Sequence, residues 1–197
     1  MPLNEWLSYA GMFLAIYCLV PYYRGILARK TQPHVFSWLI FGVITGIAAA
    51  VQFAEGGGAG AWVVALNAGL CFTVVLLALC FGKRDIRPVD WMALVAAFMS
   101  IPVWLLADNP ALAVMILLAI EVFAYIPTIR KSWNKPHEEV VQTWLLGSLT
   151  FFLAVISLER YEFATVAYPA FVSAVNLGLA LMLLIRRRVM GGAAAQP

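Results

Sequence analysis

Seven apolar runs separated by short polar intervals account for most of this 197-residue chain. They cover roughly Trp6 to Tyr23, Val35 to Phe53, Ala61 to Phe81, Trp91 to Ala107, Ala111 to Ile129, Val141 to Leu158 and Thr165 to Ile185. Each approaches the ~20 mostly apolar residues that carry a helix across a bilayer. The pattern therefore predicts an all-α membrane protein with seven transmembrane helices. The narrowest interval, Asp108-Asn109-Pro110, splits the fourth run from the fifth. It supplies a polar cap and a proline suited to the first helical position.

Composition agrees: 63% of residues are hydrophobic, 12% are charged, and the mean hydropathy is +0.89. A soluble domain carries about 45–50% apolar and about 25% charged residues. The placement of the 13 basic residues then orients the chain. Arg24, Arg29 and Lys30 follow the first run, Lys83, Arg84 and Arg87 the third, and Arg130, Lys131 and Lys135 the fifth. Arg186, Arg187 and Arg188 follow the seventh, and Arg160 alone falls on the other side. Basic residues stay in the cytoplasm, which predicts an outside N-terminus and a cytoplasmic C-terminus, and only seven spans divide the charges so cleanly. No basic residue precedes the first run, so it is expected to be a retained helix and not a signal peptide. Short loops and no cleavable leader suggest a bacterial inner membrane.

The chain also repeats itself. P-Y-Y-R-G-I-L-A-R-K-T-Q-P-H-V-F-S-W (Pro21 to Trp38) returns as P-T-I-R-K-S-W-N-K-P-H-E-E-V-V-Q-T-W (Pro127 to Trp144). In both, Arg stands three residues after Pro and Trp seventeen after it. A-L-N-A-G-L (Ala65 to Leu70) returns as A-V-N-L-G-L (Ala174 to Leu179). Helices 1–3 thus match helices 5–7 and helix 4 is left over, which lets both units enter the membrane in the same sense. The expected organisation is a first three-helix bundle (residues 1–84), a linker helix (85–109), a second bundle (110–188) and a disordered tail (189–197).

Pro-x-x-Arg, a short basic loop and an apolar helix, repeated as three-plus-one-plus-three, resembles the SWEET and PQ-loop (MtN3-like) transporter superfamily, as a divergent bacterial-type member. Trp144-Leu145-Leu146-Gly147 resembles the start of a PQ-loop helix, and Asn67 and Asn176 fall where SWEETs carry paired pocket asparagines. The likeness covers nearly the whole chain and implies a carrier that works by alternating access. It has departures: Tyr22 and Thr128 follow the prolines where the family has Gln, Leu39 and Leu145 replace further prolines, and late helices 2 and 6 lack the Trp on which a sugar stacks.

The candidate substrate-binding residues are Asn67, Asn176, Ser173, Glu121 and Tyr125. A side-chain amide in hydrocarbon must find partners, from a neighbouring helix or a polar cavity. Two asparagines at one repeat position would face each other across the axis and could serve one solute. Ser173 shares a helix face with Asn176. Glu121 falls about 15 Å into its span, near the midplane. Its counterpart one repeat earlier is Ala15. An isolated carboxylate there is costly, so it marks a proton carrier or cation partner, or a protonated group bonded across helices, with Tyr125 at i+4 as one partner. Pro21 and Pro127 are candidate hinges of an inner gate, since each removes a backbone hydrogen bond near a helix end.

Helix 2 carries Trp38, Gly42, Thr45, Ala49 and Gln52 at alternating spacings of four and three, and helix 6 carries Thr143, Gly147, Thr150, Ala154 and Ser157 at the same spacings. These small or polar faces read first as helix-packing faces, part of which could line a path. Trp38, Trp62 and Trp144 read as interfacial anchors, and Arg186 to Arg188 as an anchor at the anionic leaflet. Cys18, Cys71 and Cys80 lack metal-site spacing and read as small apolar packers.

No nucleophile with its base, paired carboxylates or phosphate loop is visible, and Gly56-Gly57-Gly58 reads as a flexible outer turn. The expectation is a non-enzyme without cofactor or metal. It is a uniporter or proton-coupled carrier of a small polar solute, with sugars among the candidates. The alternative is a non-transporting receptor or accessory subunit of the same fold. Its partners are the bilayer and the solute, with no nucleic acid; a homo-oligomer stays open.

Overall fold

The computed structural model describes residues 2–29, 33, 35–82, 88–134 and 136–193. Lys30, His34, Lys83, Arg84, Arg87, Lys135 and the end of the expected tail (194–197) lie outside the described residues. Among the described residues seven α-helices follow one another: α1 (Leu3–Leu27), α2 (Val35–Ala54), α3 (Ala59–Phe81), α4 (Pro88–Ala107), α5 (Pro110–Asn134), α6 (Val141–Ile156) and α7 (Phe163–Ala193). A 3-10 turn, Pro136–Glu138, joins α5 to α6, and no strand occurs among the described residues.

Most helices begin and end within a few residues of their apolar runs. The differences lie at the basic ends, where α1, α5 and α7 continue past Tyr23, Ile129 and Ile185. Arg and Lys are good helix formers, so the backbone spiral outlasts the apolar pattern. The helix therefore includes residues 189–193, expected as part of a disordered tail. At the narrowest interval, Asn109 Oδ1 accepts from Leu112 N at 2.9 Å and Pro110 opens α5, as the cap signal predicts.

Four helices, Leu3–Leu27, Val35–Ala54, Ala59–Phe81 and Phe163–Met190, are long and apolar enough to cross a membrane, and Leu94–Leu106, Pro110–Tyr125 and Val141–Ile156 are shorter apolar stretches. The outer surface is apolar as well: Phe13 is 70% exposed, Phe123 71% and Leu106 86%. In water, each such side chain would forgo roughly 25 cal/mol per Å² of burial, so this surface suits lipid. The chain is an all-α integral membrane protein.

Specific contacts fix the senses of the helices. Ser8 Oγ donates to Ala59 O (2.6 Å) and Tyr23 Oη to Leu70 O (3.4 Å), so α1 and α3 run together. Tyr125 meets Asn176, and Arg186 Nε donates to Trp133 O (3.0 Å), so α5 and α7 also run together. Cys18 Sγ donates to Thr143 O (3.4 Å), while Gly11 abuts Leu153, so α6 runs back against α1. Thr45 meets Tyr168, and Gln52 Nε2 donates to Thr165 O (2.6 Å), so α2 runs back against α7. Ser148 pairs with Ser173 and Phe151 with Tyr168, so α6 and α7 are antiparallel neighbours. These contacts place α1 and α5 in the same sense. Within the first three helices α3 packs on both α1 and α2; among the last three α7 packs on both α5 and α6. Between the groups α1 packs on α6 and α2 on α5.

Candidate functional site

A hollow of about 590 Å³ lies between these two groups of helices. Small-molecule sites typically measure about 300–1,000 Å³. Its wall takes one face from each of six helices, at helical spacing. Asn67 and Cys71 come from α3, Glu121 and Tyr125 from α5, and Tyr168, Val172 and Asn176 from α7. Ala15, Cys18, Leu19 and Tyr22 of α1 and Thr143, Gly147 and Thr150 of the adjacent α6 also line it.

Four of the five substrate-binding residues expected from sequence thus meet in one place. Tyr125 Oη donates to Asn176 Oδ1 at 3.0 Å, and Asn176 is only 6% exposed. Asn67 makes one long bond back to Val63 O (3.4 Å). Glu121 is 3% exposed, and its Oε2 has no hydrogen-bond partner among the described residues. Tyr125 is therefore bonded to Asn176 and not to the Glu121 one turn before it. Ser173 does not join the group. Its hydroxyl donates to Ser148 O at 2.9 Å and tightens the α6–α7 contact instead. Sharing a face with Asn176 was insufficient, because a three-residue step leaves the side chain rotated away from the hollow.

The wall also holds residues that sequence reasoning assigned elsewhere. Trp38 and Trp144, expected as interfacial anchors, line the hollow; Trp38 Nε1 donates to Tyr22 Oη at 3.1 Å. Trp62 is 59% exposed, as an anchor requires. Tyr168 was missed; it is 1% exposed and shares a 2.9 Å hydrogen bond with Thr45. The signal was available: Tyr168 stands two helical turns before Asn176 on the same face. The small faces of α2 and α6 do both jobs weighed for them. Gly42 packs on the Phe72 ring and Ala154 is fully buried, while Thr45, Gly147 and Thr150 reach the hollow.

The two ends of the hollow differ. At one end its wall reaches Glu139 and the exposed Val140, in the connection from α5 to α6. Pro21 stands here within α1, between the lining residues Leu19 and Tyr22. The α5 backbone continues helically through Pro127, whose side chain lies outside the described residues. Arg187 ties α7 to this connection through Pro136 O (3.0 Å) and Glu139 O, and Arg186 stacks 4.6 Å from the Trp133 ring centre. At least two of the three arginines expected to hold the leaflet therefore brace the protein itself.

The other end is shut. Gly11 abuts Val63 and Leu153, and Gly60 abuts the backbone at Ala154 of α6 and at Leu158 just beyond it. Glu159 Oε1 accepts from Ala59 N (3.3 Å) at the start of α3 and from Asn4 Nδ2 (3.2 Å) of α1. A carboxylate there also meets the positive end of the helix dipole. The Gly56-Gly57-Gly58 turn, expected to be flexible, is pinned: Gly57 N donates to Gln52 O (2.7 Å) and Glu159 N to Gly57 O (3.2 Å). Gly56 and Gly58 adopt φ of 77° and 59°, which glycine takes without strain.

The fold and this hollow define a class: an integral membrane helical protein with a hollow of small-molecule size, walled by aromatic and a few polar side chains, between two groups of helices. No protein-family model, curated protein or solved structure matches the chain.

Proposed function

We propose that the chain is a SWEET and PQ-loop-like carrier that moves a small polar solute by alternating access. Its units are residues 1–84 and 110–188, with α4 as linker. All seven helices span the membrane, with the N-terminus outside and the C-terminus in the cytoplasm of a bacterial cell. The observation that carries the reading is the hollow itself. It gathers Asn67, Asn176, Glu121 and Tyr125, reaches the surface at the basic end and is shut at the other. This is the arrangement of an inward-facing carrier with its site near mid-membrane. The common sense of α1 and α5, and the matched packing of α3 and α7, support a parallel repeat. In this scheme the units rock about the hollow, and the proline positions of α1 and α5 lie at the end that must close.

The test is uptake into proteoliposomes from a panel of sugars, amino acids and vitamins, with Asn67→Ala and Asn176→Ala as controls. Saturable uptake by the native chain that both variants weaken supports the carrier. Absence of uptake across the panel, with a protein partner that co-purifies, establishes the receptor or accessory subunit instead.

A further inference from the structure

We infer that the hollow takes a small organic cation, an amine or quaternary ammonium, with Glu121 as its counter-ion. The inference depends on the carrier reading for the solute's movement but not for its binding.

Three observations converge. The first is charge. Glu121 and Glu139 line the hollow, and no Lys, Arg or His does so among the described lining residues. An anionic solute would meet Glu121 with no cation among those residues to offset the repulsion. The second is the unmet valence of Glu121. Its Oε2 is buried without a hydrogen-bond partner among the described residues. A buried ionised carboxylate without a partner is among the costliest groups a fold can hold. Protonation removes the charge but still leaves a buried polar oxygen without a partner among the described residues. A positive group in the hollow offsets the carboxylate's charge, and an amine adds N–H donors that a quaternary ammonium lacks.

The third is the aromatic wall. Tyr22 pairs with Trp38 at 5.1 Å between ring centres, Tyr125 with Trp144 at 6.4 Å, and Phe151 with Tyr168 at 6.4 Å. All six line the same hollow as Glu121. A cation within about 6 Å of an aromatic ring centre is attracted to the ring face, and desolvation strengthens the attraction. A carboxylate set among aromatic faces matches a cation with an apolar skirt better than a polyol, whose hydroxyls need many hydrogen-bonding partners. The asparagines complete the site. Tyr125 occupies Asn176 Oδ1, so that amide offers its N–H donors to the polar remainder of the solute.

The experiment uses the purified full-length chain and reads intrinsic Trp fluorescence and thermal stability. The probes are tetramethylammonium, choline and agmatine, together with 3,3-dimethylbutan-1-ol, the uncharged isostere of choline. At least one cation binds saturably, and choline binds about tenfold or more tighter than its isostere. Glu121→Gln erases that preference by weakening choline far more than the isostere. If Glu121→Gln does not purify, choline against its isostere on the native chain still decides. Equal affinity for the two, or no saturable binding by any of the three cations, overturns the inference. Cation binding without uptake in proteoliposomes overturns the carrier reading and leaves the cation site standing. Uptake of a neutral sugar that none of the cations inhibits does the reverse.

Discussion

The Tyr125 hydroxyl donates to Asn176 Oδ1 across 3.0 Å and so joins α5 to α7 at the wall of the hollow. The bond holds the Oδ1 end of the Asn176 amide against Tyr125 at the wall of the hollow. Interhelical hydrogen bonds in membranes contribute only about 0.6 kcal/mol on average. Tyr125→Phe is therefore expected to cost less than about 1 kcal/mol of stability. Its larger effect is on the amide's orientation: the apparent affinity for the transported solute falls several-fold while the maximal rate changes less. Uptake kinetics in proteoliposomes, with thermal unfolding in parallel, check this. Unchanged affinity in the variant would mean that Asn176 holds its orientation without Tyr125.

Gly147 is where α6 lets Asn176 occupy its position. A Cβ there would stand 3.0 Å from Asn176 Nδ2, tighter than ordinary contact. Gly147→Ala is expected to push the amide aside by a few tenths of an ångström, at a cost of roughly 1 kcal/mol or less in packing. Solute binding weakens more than stability does. Equilibrium binding measured beside the melting temperature separates the two, and a melting-temperature loss with intact binding contradicts the assignment.

The shut end depends on close backbone approach. A Cβ at Gly60 would collide with Ala154 O and stand 2.9 Å from Leu158 N, both backbone atoms that cannot move aside. Gly60→Ala is expected to separate α3 from α6 and lower stability by about 1–3 kcal/mol. Cysteine accessibility at that end, read with a membrane-impermeant thiol reagent in a Cys-substituted background, should rise. No rise would show that the end is sealed elsewhere.

For the proposed cation carrier, Glu121 is expected to give uptake a pH dependence with a definite sign. It attracts a cation only while ionised, so cation uptake falls as pH is lowered through its titration. The neighbouring titratable groups are Tyr125 on its own helix, Cys71 on α3 and Tyr168 on α7, with Glu139 at the open end. Each of these carries no positive charge, so none can take Glu121's role. Glu121→Gln is expected to flatten the profile. A native profile in the variant would assign the dependence to another group.

Much of this site was legible in the chain because intramembrane polarity is so sparse. Asn67, Asn176 and Glu121 stand out against apolar helices, and burying them without purpose is costly. All three reach the hollow. Ser173 misled because a serine is satisfied by a single neighbouring carbonyl, here Ser148 O. Trp38 and Trp144 misled because one residue type serves both as interfacial anchor and as cavity wall, and the two uses leave the same trace in sequence. Tyr168 escaped notice because an aromatic among aromatics carries no polarity signal until its hydroxyl is seen bonded to Thr45.

The order and approximate bounds of the helices, the membrane character and the polar residues at depth were determined by the sequence alone. Each follows from local pattern: the length of an apolar run, the position of a cap, the rarity of charge in hydrocarbon. Which residues face one another was decided by tertiary structure. A helix presents a full turn of side chains every 3.6 residues, and only its neighbours determine which side chains meet a hollow, a partner helix or lipid. The pairing of Tyr125 with Asn176 and the unpartnered oxygen of Glu121 arise from six helices packing together, and no single segment encodes either.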